Sequence, residues 1–345
     1  MACADTPTEP GGGERVEPVA RPAAVRGIYV NAQAAGHAVR LQALLELADA
    51  SPVNTFVIDV KERGEVSYES AVPLVDVVGS GRGYIDDLRA VLAALRDHGI
   101  YPIARLAAFR DPVLAESRPQ WAIRTTQGGV WLDPENDRPW VDPYNADVWA
   151  YNIDLAYEAL AAGFAEIQWD YVRFPDVPDS VRSRMVYPAA ASRSAVEAIQ
   201  QFVTASRDRL SGFDPPITVD VFGRVITVPS DSVIGQDWDA LVGVTDVILP
   251  MVYPSLYLPG NFGIVDPAEE PYRTVRSAMD SAVARTRARP GARATVRPWL
   301  QAFTLDGPVY GVPEMQAQIQ AVEDAGLEEW LFWNPESVYP LEGLQ

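Results

Sequence analysis

Eight short runs rich in apolar and β-branched residues recur along the chain, and helical patterns separate most of them. The runs are residues 27–31, 55–61, 101–106, 165–171, 217–222, 246–253, 294–301 and 329–334. Amphipathic helical patterns cover residues 37–50, 84–98, 147–162, 192–210, 267–289 and 313–325. Alternating strands and helices favour a parallel sheet with right-handed crossovers. Eight such units close into a (β/α)8 TIM barrel, a fold of the α/β class.

The connections favour this barrel over an open, doubly wound sheet. Helix-to-strand connections are short and glycine-containing, as at Gly99 and Gly163, whereas strand-to-helix connections such as residues 107–146 are long. Long loops at one end only are typical of a barrel that builds a substrate cleft. An open sheet would need a Gly-rich phosphate-binding turn after its first strand, and residues 31–34 (NAQA) are not one. We therefore predict a single barrel domain with long βα loops over residues 25–345.

Composition excludes several classes of function. The chain of 345 residues has 28 Lys and Arg against 47 Asp and Glu, a net charge of −19, which disfavours nucleic acid as a partner. Two histidines, His37 and His98, lie on predicted helices, and Cys3 is the single cysteine. We therefore expect no metal site, no Ser-His-Asp triad and no cofactor. Carboxylate-only catalysis remains, and nine Trp and fourteen Tyr suit a sugar-binding cleft.

The first 24 residues are expected to form a disordered tether. Cys3 precedes a low-complexity stretch rich in Gly, Pro and Thr that cannot bury a core. An Ala-Cys pair followed by such a tether resembles the processing site of a bacterial lipoprotein. We therefore expect a lipid on Cys3, a membrane tether and an extracytoplasmic location, at the cell surface or secreted. The alternative is a disordered cytoplasmic N-terminus with a chance cysteine.

Polar side chains at the ends of the predicted strands form the candidate site. They follow apolar residues, so they should be partly buried at the mouth of the barrel, where charge must be paired. Asp170, in the stretch WDYVRFP, and Asp220 are carboxylates from adjacent strands, the components of a nucleophile and general acid pair. The other candidates, which would hold the nucleophile or bind the sugar, are Asp59, Lys61, Arg105, Trp169, Tyr171, Arg173, Tyr253, Ser255, Trp299, Gln301, Trp333 and Asn334.

Each carboxylate also has a structural interpretation. Asp59 could have the purely structural role of an ion-pair partner for Lys61 or Arg105. Asp220 could likewise hold Arg173 or Arg105 without reacting. A non-catalytic carbohydrate-binding or cell-wall-associated barrel is therefore the main alternative function. A barrel lyase or transglycosidase that uses the same acids is a further one.

The chain resembles the glycoside hydrolase family first defined as the domain of unknown function DUF4015. The resemblance covers about residues 26–339 and includes TFVIDVKERGEVSYES, AEIQWDYVRFP, TVDVFG, DVILPMVYPSLY, VRPWLQAFTL and WLFWNPESVY. It implies a glycosidase-type barrel that acts on carbohydrate. By the same resemblance, Asp170 would be the nucleophile after strand four and Asp220 the general acid/base after strand five. Arg105 and Arg173 would hold the nucleophile in its ionised form.

Three positions depart from the family pattern. Leu256 occupies a position where the family usually has a His. Ala302 occupies a position where an acidic residue often follows WLQ, and Glu62-Arg63 replaces an acidic pair. Because these positions touch the expected cleft, the substrate preference could differ from that of relatives.

Overall fold

Eight parallel strands close into a barrel in the computed structural model, which describes residues 19–230, 233–305 and 307–345. The strands are β1 (Arg26–Val30), β2 (Thr55–Glu62), β3 (Tyr101–Ala107), β4 (Glu166–Asp170), β5 (Ile217–Phe222), β6 (Val247–Val252), β7 (Trp299–Gln301) and β8 (Trp330–Trp333). Each strand pairs in parallel with the next, and β8 pairs with β1. The predicted (β/α)8 fold is confirmed.

Helices surround this barrel. In chain order they are α1 (Ala32–Gly36), α2 (Ala38–Asp49), α3 (Pro73–Val78), α4 (Leu88–Asp97), α5 (Pro112–Ser117), α6 (Ala146–Ala162), α7 (Asp179–Arg182), α8 (Ala195–Leu210), α9 (Trp238–Leu241), α10 (Pro271–Ala288) and α11 (Val312–Asp324). The six longest follow the predicted helices closely. The helix predicted over residues 37–50 is divided, because His37 has an extended backbone between α1 and α2. None of the helices in the described ranges combines the length and apolar character needed to cross a membrane.

Short strands decorate the barrel. Residues Glu65–Tyr68 pair antiparallel with β2, Gly81–Ile85 extend that pair, and Thr295–Val296 pair with β6 ahead of β7. Two small ladders, Arg124–Thr125 with Met185–Val186 and Leu132–Asp133 with Arg138–Pro139, lie in the long connections after β3 and β4. The long connections therefore follow the carboxyl ends of the strands, where barrel enzymes build their sites.

Helix α6 shows how local sequence positions the strand that carries Asp170. The Asn145 side chain accepts hydrogen bonds from the amides of Asp147 and Val148 at the first turn. Gly163 ends the helix with a φ of 127°, a conformation that a side chain would strain. The chain then turns directly into β4, so the end of α6 determines where β4 begins.

Strand residues alternate between the barrel interior and the layer under the helices. The interior cluster includes Tyr29, Val57 and Ile103, whereas Ile167 and Trp169 belong to the larger cluster between strands and helices. On β4, Gln168 and Asp170 therefore share the inner face, and Trp169 lies on the outer one.

A β-bulge in β2 changes this alternation near its end. Asp59 pairs with Arg105 on β3, but the next pair joins Lys61 to Leu106, so one residue is extra. Lys61 consequently turns to the outer face and Glu62 to the inner face, the reverse of what simple alternation gives.

The amino-terminal end of the barrel holds a separate ion-pair network. Arg297 is fully buried and pairs with Glu166 at 2.7 Å and Glu329 at 3.0 Å. Arg21, in the segment assigned to the tether, also pairs with Glu329, at 2.6 Å. The segment from residue 19 therefore contacts the barrel. Cys3 lies outside the described residues, so its lipidation stays a prediction.

Candidate active site

Arg105 joins three strands at the carboxyl end of the barrel. Its side chain is 2% exposed, and Nη1 donates to Asp59 Oδ1 at 2.5 Å and to Glu62 Oε2 at 2.8 Å. Nη2 and Nε donate to Asp170 Oδ2 at 2.5 and 3.1 Å. The Tyr29 hydroxyl donates to the other oxygen of Asp59. One guanidinium thus orients carboxylates from β2 and β4 toward the same interior space, through charge-assisted bonds.

Asp170 is held by both of its oxygens. Oδ2 accepts from Arg105, and Oδ1 accepts from the main-chain amide of Tyr171 at 2.5 Å. Tyr171 has a φ of 48°, a left-handed backbone conformation that is uncommon for a bulky residue. Strained residues of this kind cluster at functional sites. The turn directs the Tyr171 amide back onto the carboxylate and fixes its orientation.

Asp220 occupies a different environment on β5. It is 2% exposed, and its oxygens accept hydrogen bonds from Gln168 Nε2 at 3.0 and 3.1 Å and from Trp299 Nε1 at 2.8 Å. Burial, followed by the negative charge of Asp170, raises the pKa of Asp220 well above its usual value. Arg105 opposes this shift but does not cancel it. The site therefore favours the protonated form of Asp220 more strongly than water does.

The two carboxylates lie at the same level of the barrel. Val219 on β5 pairs with Trp169 on β4, and Asp220 and Asp170 are the next residues of those strands. Both face the interior, because Asp220 bonds to Gln168 and Asp170 bonds to Arg105. Neighbouring strands lie about 4.8 Å apart, so both side chains enter the same part of the site.

Asp59 is a third interior acid, 3% exposed. Burial, with a smaller contribution from the charge of Glu62, raises the pKa of Asp59 to about 6, while Arg105 and the Tyr29 hydroxyl oppose the shift. The ion pair with Arg105 that the sequence allowed for Asp59 is present. Lys61 takes no part in it.

Aromatic rings form one wall of the site. Trp333 stacks on Tyr29 with centroids 3.8 Å apart and meets Trp299 edge to face at 5.5 Å. The Arg105 guanidinium lies 4.9 Å from the centre of Trp333. Tyr253 packs edge to face against Phe303 at 5.4 Å. Three predicted cleft residues, Trp299, Trp333 and Tyr253, are therefore brought together beside Arg105 and Asp220.

Three side chains predicted to bind sugar hydroxyls, those of Ser255, Gln301 and Asn334, form hydrogen bonds with protein groups. The Gln301 amide donates to Ser255 Oγ and to the Phe303 carbonyl, both at 2.8 Å, and accepts from the Ser255 amide at 3.1 Å. Asn334 donates to the Ala302 carbonyl at 2.6 Å. These contacts connect the loops after β6, β7 and β8, so the three residues position the rim of the site.

Two predicted cleft residues lie behind the barrel wall. Lys61 is fully buried, 2.7 Å from Asp111, and donates to the Ala107 carbonyl at 2.9 Å and to Asn152 Oδ1 at 2.8 Å. Trp169 is fully buried and donates to Ser206 Oγ of α8 at 2.9 Å. The bulge in β2 explains the position of Lys61, and strand alternation explains that of Trp169. Neither residue faces the interior site.

Arg173 lies in a cage of aromatic rings instead of contacting Asp170. Its guanidinium is 4.5 Å from the centre of Phe222, 5.1 Å from Trp140 and 5.2 Å from Tyr171. Its Nη1 donates to the Phe174 carbonyl. Within the described residues, the predicted hold on Asp170 therefore comes from Arg105, without Arg173.

Sequence reasoning missed several residues of the site, namely Tyr29, Arg110, Trp140, Gln168 and Phe222. Alternation from Asp170 and Asp220 would have placed Gln168 and Phe222 on the inner face. Glu62 is inward because of the bulge, and Trp140 comes from the long loop after β3. The described part of the chain contains no group of three or more His, Cys, Asp or Glu that could hold a metal ion.

Comparisons with known proteins agree with this architecture. The family model described as putative glycosyl hydrolase domain, DUF4015, matches residues 27–339. A hypothetical protein from Ruminiclostridium thermocellum ATCC 27405 is 35% identical, with 56% of this chain and 97% of that chain covered and a TM-score of 0.52. A comparison with curated proteins finds no match.

More distant structures share the fold. The PgaB (BpsB) glycoside hydrolase domain from Bordetella bronchiseptica has a TM-score of 0.65 at 14% identity, covering 90% of this chain and 94% of that chain. The alpha-galactosidase TtGalA from Thermus thermophilus has a TM-score of 0.55 at 14% identity, covering 94% of this chain and 61% of that chain. Both are similar to this chain in fold, and the family match extends over almost all of it. The chain belongs to the DUF4015 family of putative glycosyl hydrolase domains.

Proposed function

We propose that this protein is a glycoside hydrolase that cleaves a polysaccharide or oligosaccharide with Asp170 as nucleophile and Asp220 as general acid/base. The observation that supports it best is the contrast between two neighbouring carboxyl groups. Asp170 faces a guanidinium and a main-chain amide, whereas Asp220 is buried with a raised pKa. Environments that separate the pKa values of two acids are typical of an acid and nucleophile pair.

The mechanism follows from these roles. Asp220 gives its proton to the glycosidic oxygen as the bond to the anomeric carbon breaks, and Asp170 attacks that carbon through an oxocarbenium-like transition state. Water then hydrolyses the glycosyl ester at Asp170, with Asp220 as general base. A covalent intermediate at Asp170 implies retention of configuration, which requires the two carboxyl groups to lie about 5–5.5 Å apart.

Other interior groups would support the reaction. Arg105 keeps Asp170 and Asp59 oriented, and Tyr29 donates to Asp59. The partly exposed ring of Trp333, supported edge to face by the buried Trp299, would stack on a sugar ring. No metal or cofactor is required by this scheme, because both proton transfer and nucleophilic attack come from carboxyl groups.

A panel of polysaccharides tests the proposal. Wild type and the Asp170→Asn variant would be compared side by side for release of reducing ends, with Asp154→Asn, a half-exposed acid on α6, as the matched control. We expect one glycan class to be cleaved by wild type and the control, and at least ~10²-fold more slowly by Asp170→Asn. Undiminished turnover by Asp170→Asn would refute the nucleophile. Binding without cleavage by wild type would favour the non-catalytic alternative.

A further inference from the structure

Within the described parts of the chain, two arginines next to Asp170 form no ion pair with a carboxylate. Arg110 Nη1 donates to the Tyr171 hydroxyl at 2.7 Å, and its guanidinium lies 5.0 Å from the centre of that ring. Arg173 lies 5.2 Å from the same ring, within the cage of Trp140 and Phe222. Among the described residues, neither arginine forms an ion pair, although the chain has many more acids than bases. Two cations therefore share the ring that directly follows Asp170 in sequence.

The contrast with Arg105 shows that these two arginines are not simply structural counter-charges. Arg105 is bonded to three carboxylates, those of Asp59, Glu62 and Asp170. Glu62 and Asp133 contribute negative charge near Arg110, yet neither is its ion-pair partner. The hydrogen bonds of Arg110 and Arg173 end on a hydroxyl and a carbonyl instead. Within the described residues, neither guanidinium therefore forms a charge-assisted hydrogen bond to a carboxylate, the strongest bond that it can donate.

Both arginines are half-buried, which makes their charge costly. Burial lowers the pKa of Arg173, the nearby carboxylates of Asp170 and Asp176 only partly oppose this shift, and the positive charge of Arg110 adds to it. A bound anion would relieve both the desolvation and the mutual repulsion. Guanidinium groups are also suited to planar anions, because their fixed fork of donors matches a carboxylate.

We propose that Arg110 and Arg173 bind the negative group of an acidic sugar, the carboxylate of a uronic acid or a sulfate, in the subsite beside Asp170. The substrate class is then an anionic polysaccharide. The proposal rests on the proposed function for the identity of the ligand as a glycan, but it concerns binding and needs no cleavage. The net charge of −19 does not prevent it, because charges beyond about 8 Å are largely screened at physiological ionic strength.

Calorimetry on the Asp170→Asn variant separates binding from cleavage. The carboxylated probes would be oligogalacturonate, alginate and hyaluronan oligosaccharides, with methyl-esterified oligogalacturonate as the neutral match. Dextran sulfate and dextran form a sulfated and neutral pair that distinguishes the two anion sources. We expect at least one acidic probe to bind, and its neutral counterpart to have an affinity lower by roughly tenfold or more. Raising the salt concentration should weaken the acidic complex alone.

Arginine variants in the same background identify the site. Arg110→Gln and Arg173→Gln should each weaken the acidic complex roughly tenfold or more and leave any neutral complex unchanged, and Arg173→Lys should restore part of the affinity. Arg193→Gln is the matched control, because Arg193 also lies over two rings, Tyr144 and Trp149, and donates to main-chain carbonyls. It should bind like the parent.

Three results would overturn the proposal: no acidic probe binds, the two arginine variants bind acidic probes as tightly as the parent, or Arg193→Gln loses as much affinity as they do. If no acidic probe binds but a neutral glycan is cleaved, the binding proposal fails and the hydrolase function stays intact. If an acidic probe binds through the two arginines but wild type cleaves no glycan, the binding proposal stands and the hydrolase function fails.

Discussion

At the scale of single residues, Asp170 and Asp220 show how similar side chains acquire different chemistry. Both are carboxylates on inner faces of adjacent strands. Asp170 receives donors that carry positive charge or a main-chain dipole, and Asp220 receives the neutral donors of Gln168 and Trp299. Neutral donors compensate less of the desolvation of an anion, so burial raises the pKa of Asp220.

The raised pKa of Asp220 predicts the pH dependence of the rate. A general acid is active while protonated, so kcat/KM should fall as the pH rises through the pKa of Asp220, at a pH well above the usual range of a carboxyl group. The Asp220→Asn variant, assayed on an aryl glycoside whose leaving group needs little protonation, should lose this alkaline limb. Measured pH profiles of the two proteins check it. An identical alkaline limb in both would show that another group supplies the proton.

At the scale of elements, the strands could be predicted from sequence, while the faces of their last residues could not. Runs such as residues 101–106 and 217–222 are continuous, apolar and bounded by turns, so their position was readable. Trp169 could have been placed outside by alternation from Asp170. Lys61 could not, because the bulge depends on how β2 and β3 pair. Arg110 and Trp140 come from loops whose course the sequence pattern does not determine.

The outward turn of Lys61 makes it a structural residue, which gives a prediction on stability. Lys61→Met should remove the partner of Asp111, which is fully buried, and cost about 3–5 kcal/mol of unfolding free energy. The double variant Lys61→Met/Asp111→Leu should recover much of that loss, because no buried charge is left unpaired. Urea denaturation of the three proteins measures both effects. A loss below about 1 kcal/mol for Lys61→Met would contradict the buried ion pair.

At the scale of the whole molecule, buried ion pairs lie at both ends of the barrel, and the proposed chemistry lies at one of them. Arg297, Glu166 and Glu329 connect β4 to the chain before β7 and β8 at the amino-terminal end. Arg105 connects β2, β3 and β4 at the carboxyl-terminal end, where the long loops lie. In TIM barrels the carboxyl-terminal face carries catalysis and the opposite face supports the fold.

This division predicts that Arg297 affects folding without affecting turnover. Arg297→Met should lower the unfolding free energy by about 3–5 kcal/mol, because Glu166 is fully buried and would lose its partner. The kcat/KM of the folded variant, measured well below its melting temperature, should stay within about twofold of wild type. Arg105→Met is the contrasting variant and should lose activity. Equal losses of turnover in both variants would argue against two separate ends.

The central claim is that Asp170 and Asp220 act together on one sugar, and a double-mutant cycle tests it most directly. The kcat/KM of wild type, Asp170→Asn, Asp220→Asn and the double variant would be measured on the glycan that wild type cleaves. Each single variant should have a kcat/KM at least ~10²-fold below that of wild type. Because mutations in groups that act as one unit have strongly non-additive effects, the kcat/KM of the double variant should be only slightly below that of the less active single variant. If the two losses multiply, or if either single variant keeps wild-type turnover, the two carboxylates do not share one reaction.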